Sequence, residues 1–380
     1  MREEPVTAVV TANDAFAADL YGVLTGDTRQ TVFSPVSVAA ALRMALCGAR
    51  GQTAAELGGA LHESPDTAAD GLRATSAAVH AVAADGSVTF RAPSIVWVQS
   101  GLPLRPEFTG QLGDAAAAAI ARVGFAEAPE AARAEINRVI AEQTAGKITG
   151  LLPAAAISDL TQLVLTSAIY LKAAWAERFA EAATRDAPFY PDGPDRPSLT
   201  VPMMHSTAAR AYRHGDRYQA VLLPYQGGQL AMAVVLPDGP LTTLRPAIAA
   251  DGLRGLLAGT SRYQVTLSLP RFRVEAAFDL VPVLRQLGVA QAFSRQADFS
   301  GITEAERLLI NAVAHKAYVD VDEQGTEAAA ATAISFRPTA AFRAPPAVTM
   351  TVDRPFLFVI FHTPTGTPLF VGQVSQPGVR

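Results

Sequence analysis

Asp320 and Asp322, two carboxylates one residue apart, are the pair whose type and spacing could hold a cation. On a strand they would share a face. No further acid or histidine clusters beside them, so a solvated strand edge is the reading they support. The six histidines have no metal-like spacing. His315 stands alone in an apolar run, the usual setting of a histidine satisfied within a core. The chain has no G-x-S-x-G elbow, no H-E-x-x-H and no C-x-x-C. Lys147 follows Gly146, but Ile148 stands where a phosphate loop needs Ser or Thr, and no glycine loop precedes it. A hydrolase would need a scattered Ser, His and acid that no spacing brings together. These residues argue against an enzyme, and they call for no cofactor and no metal.

The elements that carry these residues predict an α+β chain. Helices are expected over 13–24, over 36–47 behind a Ser34-Pro35 start, over 53–61, near 67–83 and over 127–144, with a helical pair near 241–257 and a helix over 280–287. Ser caps such a start, and Pro is tolerated in the first turn. Strands are expected over 87–99, over the continuous apolar run 160–171, as several segments from 200 to 236, and over 263–274, 308–322, 347–353, 356–361 and 369–374. Hydrophobic residues make up 49% of the 380 and charged residues 17%, enough for a large core. The net charge of −4 argues against a general nucleic-acid surface. Cys47 is the single cysteine, so no internal disulfide forms; its apolar surroundings read as a buried, inert thiol. The N-terminal stretch lacks the apolar core of a signal peptide, and no run reaches membrane-spanning length. A cytoplasmic protein is expected, with another export route left open.

The segment 318–333 departs from ordinary patterning. Tyr318, Val319 and Val321 alternate with acids as a strand. The chain then passes through Gly325 into Thr326, Glu327 and the run Ala328–Ala333. An irregular, proline-containing stretch follows, from Ile334 to Pro346. Propensity favours a short helix capped by Thr326. The small side chains suit a different fate, sliding between two existing strands. Extended, Thr326, Ala328, Ala330 and Thr332 share one face, all small and uncharged, while Glu327 falls on the other, which could stay wet.

Here the chain resembles the serpins, the serine-protease-inhibitor family, and most closely their inhibitory, bacterial-like members. Asp322 to Thr332 is similar to the inhibitory hinge. The resemblance recurs in order at Val32–Ser37 with Ala41–Met44 and Gly48–Leu57, then at Ile136-Asn137 with Thr144–Ile148. It continues at Leu163–Lys172 with Trp175, at Leu269–Phe272 with Leu280 and Leu287-Gly288, and at Arg354–Phe358 with Pro368–Gly372. It implies a serpin fold of three β-sheets with about eight or nine helices and an exposed reactive-centre loop at about 323–346. It also implies one domain over 1–380, acting as a monomer.

The resemblance assigns roles to residues. The hinge is Glu323, Gly325, Thr326, Glu327, Ala328, Ala330 and Thr332. A polar network called the shutter, beneath the main sheet, takes Ser34, Ser37, Ser167 and His315. Ser167 replaces the usual asparagine there. The breach, where insertion begins, takes Trp175, Arg271 and Glu323; Arg271 replaces a frequent lysine and could grip Glu323 bidentately, against the plainer reading of a surface pair. Val139 and Gln30 stand where an aromatic residue and an Asn are common.

The implied activity is physical. A target serine protease attacks the bait loop and forms its ordinary acyl-enzyme. The freed segment 325–338 inserts as a new strand, carrying the protease on the order of 45 Å at ~3.3 Å per residue. Counting from Glu323 gives Thr339-Ala340 as the reactive bond, and a small residue there suits an elastase-like or subtilisin-like enzyme. Counting back from Arg354 points instead to 341–344. Arg337 or Arg343 would suit a trypsin-like enzyme, and Phe336 or Phe342 a chymotrypsin-like one; inhibition of cysteine proteases is a further alternative. A non-inhibitory carrier or chaperone is the rival; it would be expected to have bulky, charged or proline residues in the hinge, and 326–333 has none beyond Glu327.

Overall fold

A computed structural model of the chain describes residues 3–26, 30–83, 86, 88–112, 120–327 and 345–378. Among them are eight α-helices: α1 (Glu3–Leu24), α2 (Pro35–Gly48), α3 (Gly51–Ala60), α4 (Ala68–Ala83), α5 (Pro106–Leu112), α6 (Pro129–Gln143), α7 (Arg245–Gly255) and α8 (Val281–Gln286). The strands are β1 (Thr31–Phe33), β2 (Val88–Arg91), β3 (Ser94–Gln99), β4 (Ile120–Val123), β5 (Leu163–Ala174), β6 (Arg185–Phe189), β7 (Leu199–Gly215) and β8 (Tyr218–Pro224). They continue with β9 (Leu230–Pro237), β10 (Ser261–Pro270), β11 (Phe272–Asp279), β12 (Ile310–Val321), β13 (Gly325–Thr326), β14 (Ala347–Thr351), β15 (Phe356–His362) and β16 (Thr367–Val374). No described helix is long and apolar enough to cross a membrane.

A seven-stranded sheet runs β11-β12-β13-β5-β3-β4, with β2 also on β5. A nine-stranded sheet runs β1-β16-β15-β9-β8-β7-β10-β14, with β6 on β7. The third sheet of the expected fold is continuous with the second. β7 is 17 residues long; its first part pairs with β6 and β10, and its end, from Tyr212 to Gly215, pairs with β8. A strand that long bends and twists between the two sectors rather than ending between them.

The cores explain why these segments adopt these forms. α2 is buried over almost its whole length. A helix apolar all round belongs inside a protein. β5 is covered on both faces, as its unbroken apolar run predicts. One core lies between the two sheets, built from residues such as Val319, Val321, Phe272, Met232 and Phe358. Another lies on the outer face of the seven-stranded sheet, where Ile136 and Ile140 of α6 cover Trp97, Val164, Ala168 and Ala314. Thus α6 straddles β5 and β12.

Several boundaries differ from expectation. The strand expected over 87–99 breaks at Ala92-Pro93, because proline cannot donate to a ladder. The strand over 263–274 is two strands in different sheets, divided at Pro270-Arg271. Pro129 takes the first turn of α6, which moves that start from 127 to 129. Leu160 is 79% exposed and lies outside β5, which begins at Leu163.

Candidate functional site at the head of the seven-stranded sheet

β5 and β12 are parallel neighbours from Leu163↔Ile310 to Tyr170↔Tyr318. Above that level they part, and β13 fills the gap. Thr326 pairs with Val321 on one side and Ala173 on the other, and β13 is antiparallel to both. The first two residues of the small-residue segment therefore already lie between two parallel strands.

Each residue of this wedge has a physical reason. Gly325 has φ +152°, and a Cβ there would run into the main-chain oxygen of Ala173. Only glycine fits. Thr326 is fully buried, and its Oγ1 lies 2.7 Å from the Tyr225 hydroxyl. Tyr225 stacks on Trp175 at a ring separation of 4.5 Å. Trp175 in turn donates Nε1–H to the Asp322 oxygen (2.9 Å) and its main-chain N–H to the Gln324 oxygen (2.9 Å).

Glu327 follows β13 and is the last residue described before 345. Its φ is +48°, a left-handed conformation costly for a non-glycine residue. Its main-chain N–H still donates to the Asp320 oxygen at 3.1 Å. The carboxylate accepts from Lys147 Nζ (2.7 Å) and the Tyr170 hydroxyl (2.6 Å). This face was expected to stay wet, but the Glu327 side chain is only 11% exposed. Burial pushes its pKa up, and the bonds from Lys147 and Tyr170 outweigh that and leave it low.

Glu323 is held on the approach to the wedge. Its side chain is 3% exposed, against 45% for Arg271. Arg271 Nε lies 2.8 Å from both carboxylate oxygens, with Nη2 2.7 Å from Oε1. The Thr184 hydroxyl also donates to Oε1. Burial raises the Glu323 pKa, but the hydrogen bonds from Arg271 and Thr184 bring it below the usual carboxylate range. The plain surface-pair reading does not describe a carboxylate this enclosed.

Below the wedge, on the β5–β12 register, His315 is level with Ser167. The imidazole is completely buried. The Ser34 main-chain N–H donates to Nε2 at 2.9 Å, so Nε2 carries no proton. The proton sits on Nδ1, which meets Ser167 Oγ at 2.8 Å. Burial pushes the imidazole pKa down to about 3. Ser34 caps α2, accepting the Ser37 main-chain N–H at 3.2 Å, and its hydroxyl donates to Ser37 Oγ at 2.9 Å. Ser94 joins by donating to the Ser37 oxygen at 3.0 Å. The His315–Ser167 bond crosses the line along which β5 and β12 would have to part.

The structure thus brings together Ser34, Ser37, Ser167 and His315 in one network, and Trp175, Arg271, Glu323, Gly325, Thr326 and Glu327 around the wedge. Ala328, Ala330 and Thr332, and the expected bond Thr339-Ala340, lie outside the described residues. Asp320 and Asp322 do not converge: Asp320 faces Arg273 (3.6 Å), while Asp322 Oδ1 accepts the main-chain N–H groups of Gln324 and Gly325. No metal-holding group of acids, histidines or cysteines occurs among the described residues. Sequence reasoning missed Lys147, Tyr170, Thr184 and Tyr225 as parts of the site. Their contacts reach 101 to 180 residues along the chain, and no local pattern announces them.

The chain is thus an α+β molecule that holds a two-residue strand, β13, between β5 and β12 at the head of its seven-stranded sheet. The model of the serpin family (serine protease inhibitor) matches residues 11–377, and the chain belongs to that family. It is 37% identical to an uncharacterized serpin-like protein of Thermococcus kodakarensis, over 99% of this chain and 88% of that one. It is 36% identical to the leukocyte elastase inhibitor of Bos taurus, over 96% and 98% of the two chains. Among solved structures, maspin superposes with a TM-score of 0.88 at 26% identity, covering 98% of this chain and all of that one.

Proposed function

We propose that this chain inhibits serine proteases as a suicide substrate, its bait loop being cut and then inserted between β5 and β12. The observation that carries the reading is the wedge. Gly325 and Thr326 already occupy the gap, antiparallel to both neighbours, so further insertion continues a ladder already begun. Each inserted residue exchanges one parallel pairing for two antiparallel ones, which are slightly the more stable per residue. The small residues Ala328, Ala330 and Thr332 follow Thr326 on its buried face without bulk or charge. Dragging the acylated nucleophile from its base and oxyanion donors stalls deacylation.

The reactive bond is Thr339-Ala340, and the target is an elastase-like or subtilisin-like enzyme. The small residue at the bond supports this, and so does the likeness to leukocyte elastase inhibitors. The inhibitor acts as a monomer in a covalent complex with one protease. Mixing with elastase, subtilisin, chymotrypsin and trypsin, followed by denaturing gels and mass spectrometry of the released C-terminal peptide, tests it. The expected result is a denaturant-resistant adduct with elastase or subtilisin and a released peptide that begins at Ala340. Cleavage by all four without an adduct would overturn the inhibitory reading.

A further inference from the structure

A cleft of about 570 Å³ lies away from the hinge, between the C-terminal end of α1, the turn after β6 and the segments just beyond β9 and β16. Tyr21, Tyr190, Pro194 and Pro240 are among its apolar walls, and Asp238, Arg245 and Arg354 among its charged ones. One polar group in it lacks, among the described residues, the partner its chemistry asks for. Arg245, on the same lining, uses Nη2 on the Thr25 main-chain oxygen at 3.2 Å and meets no carboxylate among the described residues. A guanidinium has five donors in a fixed fork, suited to a carboxylate. Arg354, the other arginine of the lining, is already engaged by the Pro237 oxygen (2.9 Å) and by Asp353 (3.1 Å).

We propose that this cleft is a binding site for a small monocarboxylate with a flat apolar body. Arg245 takes the carboxylate, and the tyrosine and proline walls take the body. Asp238 on the same lining disfavours a ligand of higher negative charge, which rules against a phosphate chain or a sulfated sugar. Apolar surface makes up the larger share of the lining, as is usual for a small-ligand site. The site is independent of the bait loop, and its test reads binding alone.

The probe is 4-fluorobenzoate, followed by fluorine NMR on the full chain, with 4-fluorobenzamide as the neutral control and inorganic phosphate as competitor. Saturable binding of the benzoate is expected, about tenfold tighter than the amide, since the charge-assisted pair is lost without the carboxylate. Arg245→Ala should weaken the benzoate by about tenfold or more, with unchanged circular dichroism. Equal binding of benzoate and benzamide, undiminished binding to Arg245→Ala, or displacement by phosphate at matched concentration would each overturn the proposal.

Discussion

Glu327 follows the last residue of β13, and it is held by conformation and by bonding together. For residue 328 to pair between the strands, Glu327 must leave its left-handed φ of +48° for an extended one. It must also release Lys147 and Tyr170. Lys147 is 43% exposed, so its ion pair is worth only about 1 kcal/mol. Lys147→Ala should therefore speed loop insertion after cleavage by roughly fivefold. A fluorophore on the loop, followed by stopped flow, measures that rate; an unchanged rate would show that the pair restrains nothing. Thr326→Arg should act in the opposite direction. It places an unpaired charge in a fully buried site beside Tyr225. A charged side chain there slows insertion at least tenfold and turns the inhibitor into a substrate. Trapping at the wild-type stoichiometry by this variant would refute insertion at Thr326. The small residues of the hinge were legible in the sequence because bulk and charge read directly from residue type. The grip on Glu327 was not, because Lys147 lies 180 residues away.

Among elements, β5 and β12 flank the gap, and their register carries a consequence for the proposed insertion. Thr326 faces Ala173 on β5 and Val321 on β12. Continuing both antiparallel ladders by six residues sets Thr332 opposite Ser167 on one side and His315 on the other. Those two are hydrogen-bonded to each other now, at 2.8 Å, across the closed pair. Insertion must break that bond, and a threonine arriving at that level offers a hydroxyl to both former partners. Thr332→Val keeps shape and β-propensity but leaves the opened serine and histidine short of a partner. It should lower the thermal stability of the cleaved, inserted form while leaving the uncleaved form unchanged. Calorimetry of both forms measures this, and an equal effect on each would place Thr332 elsewhere. The same histidine sets an acid limit. Its folded pKa of about 3 lies below the ordinary value of 6.5, so the unfolded chain binds the proton first. Its contribution is complete above about pH 6.5 and is lost as pH falls from there toward 3. Glu323 and Glu327, both held low, add their own loss below the ordinary carboxylate value of 4.5. Urea midpoints should thus fall in two stages, and His315→Gln should remove the first. The pairing of these strands was legible only in part. β5 and β12 announced themselves as apolar runs, but no pattern in either says that they are parallel neighbours or that Ser167 is level with His315.

For the whole molecule, the proposed inhibition requires that the two sheets and α6 make a body whose most favourable pairing is not yet made. The seven-stranded sheet has a parallel junction at its centre, the small residues that would complete it sit on the adjoining segment, and α6 lies across the line of entry. The fold class and the order of the family motifs were readable from residues spread over most of the chain. The continuity of the second and third sheets through β7 was not, because a single 17-residue strand looks like several in sequence. Completing the central strand adds on the order of ten ladder hydrogen bonds at about 1 kcal/mol net each. At ~1–2 °C per kcal/mol for a chain of this size, the melting temperature should rise by about 10–20 °C once the loop is cut. A protease that cleaves without being trapped gives the material for the measurement. Cutting Thr326→Arg with the same protease supplies the contrast, since its loop is severed but barred from the sheet. A rise in the wild type that is absent in the variant assigns the gain to insertion. A rise of the same size in both would mean that cleavage stabilises the molecule by another route, and the central gap between β5 and β12 would lose its role.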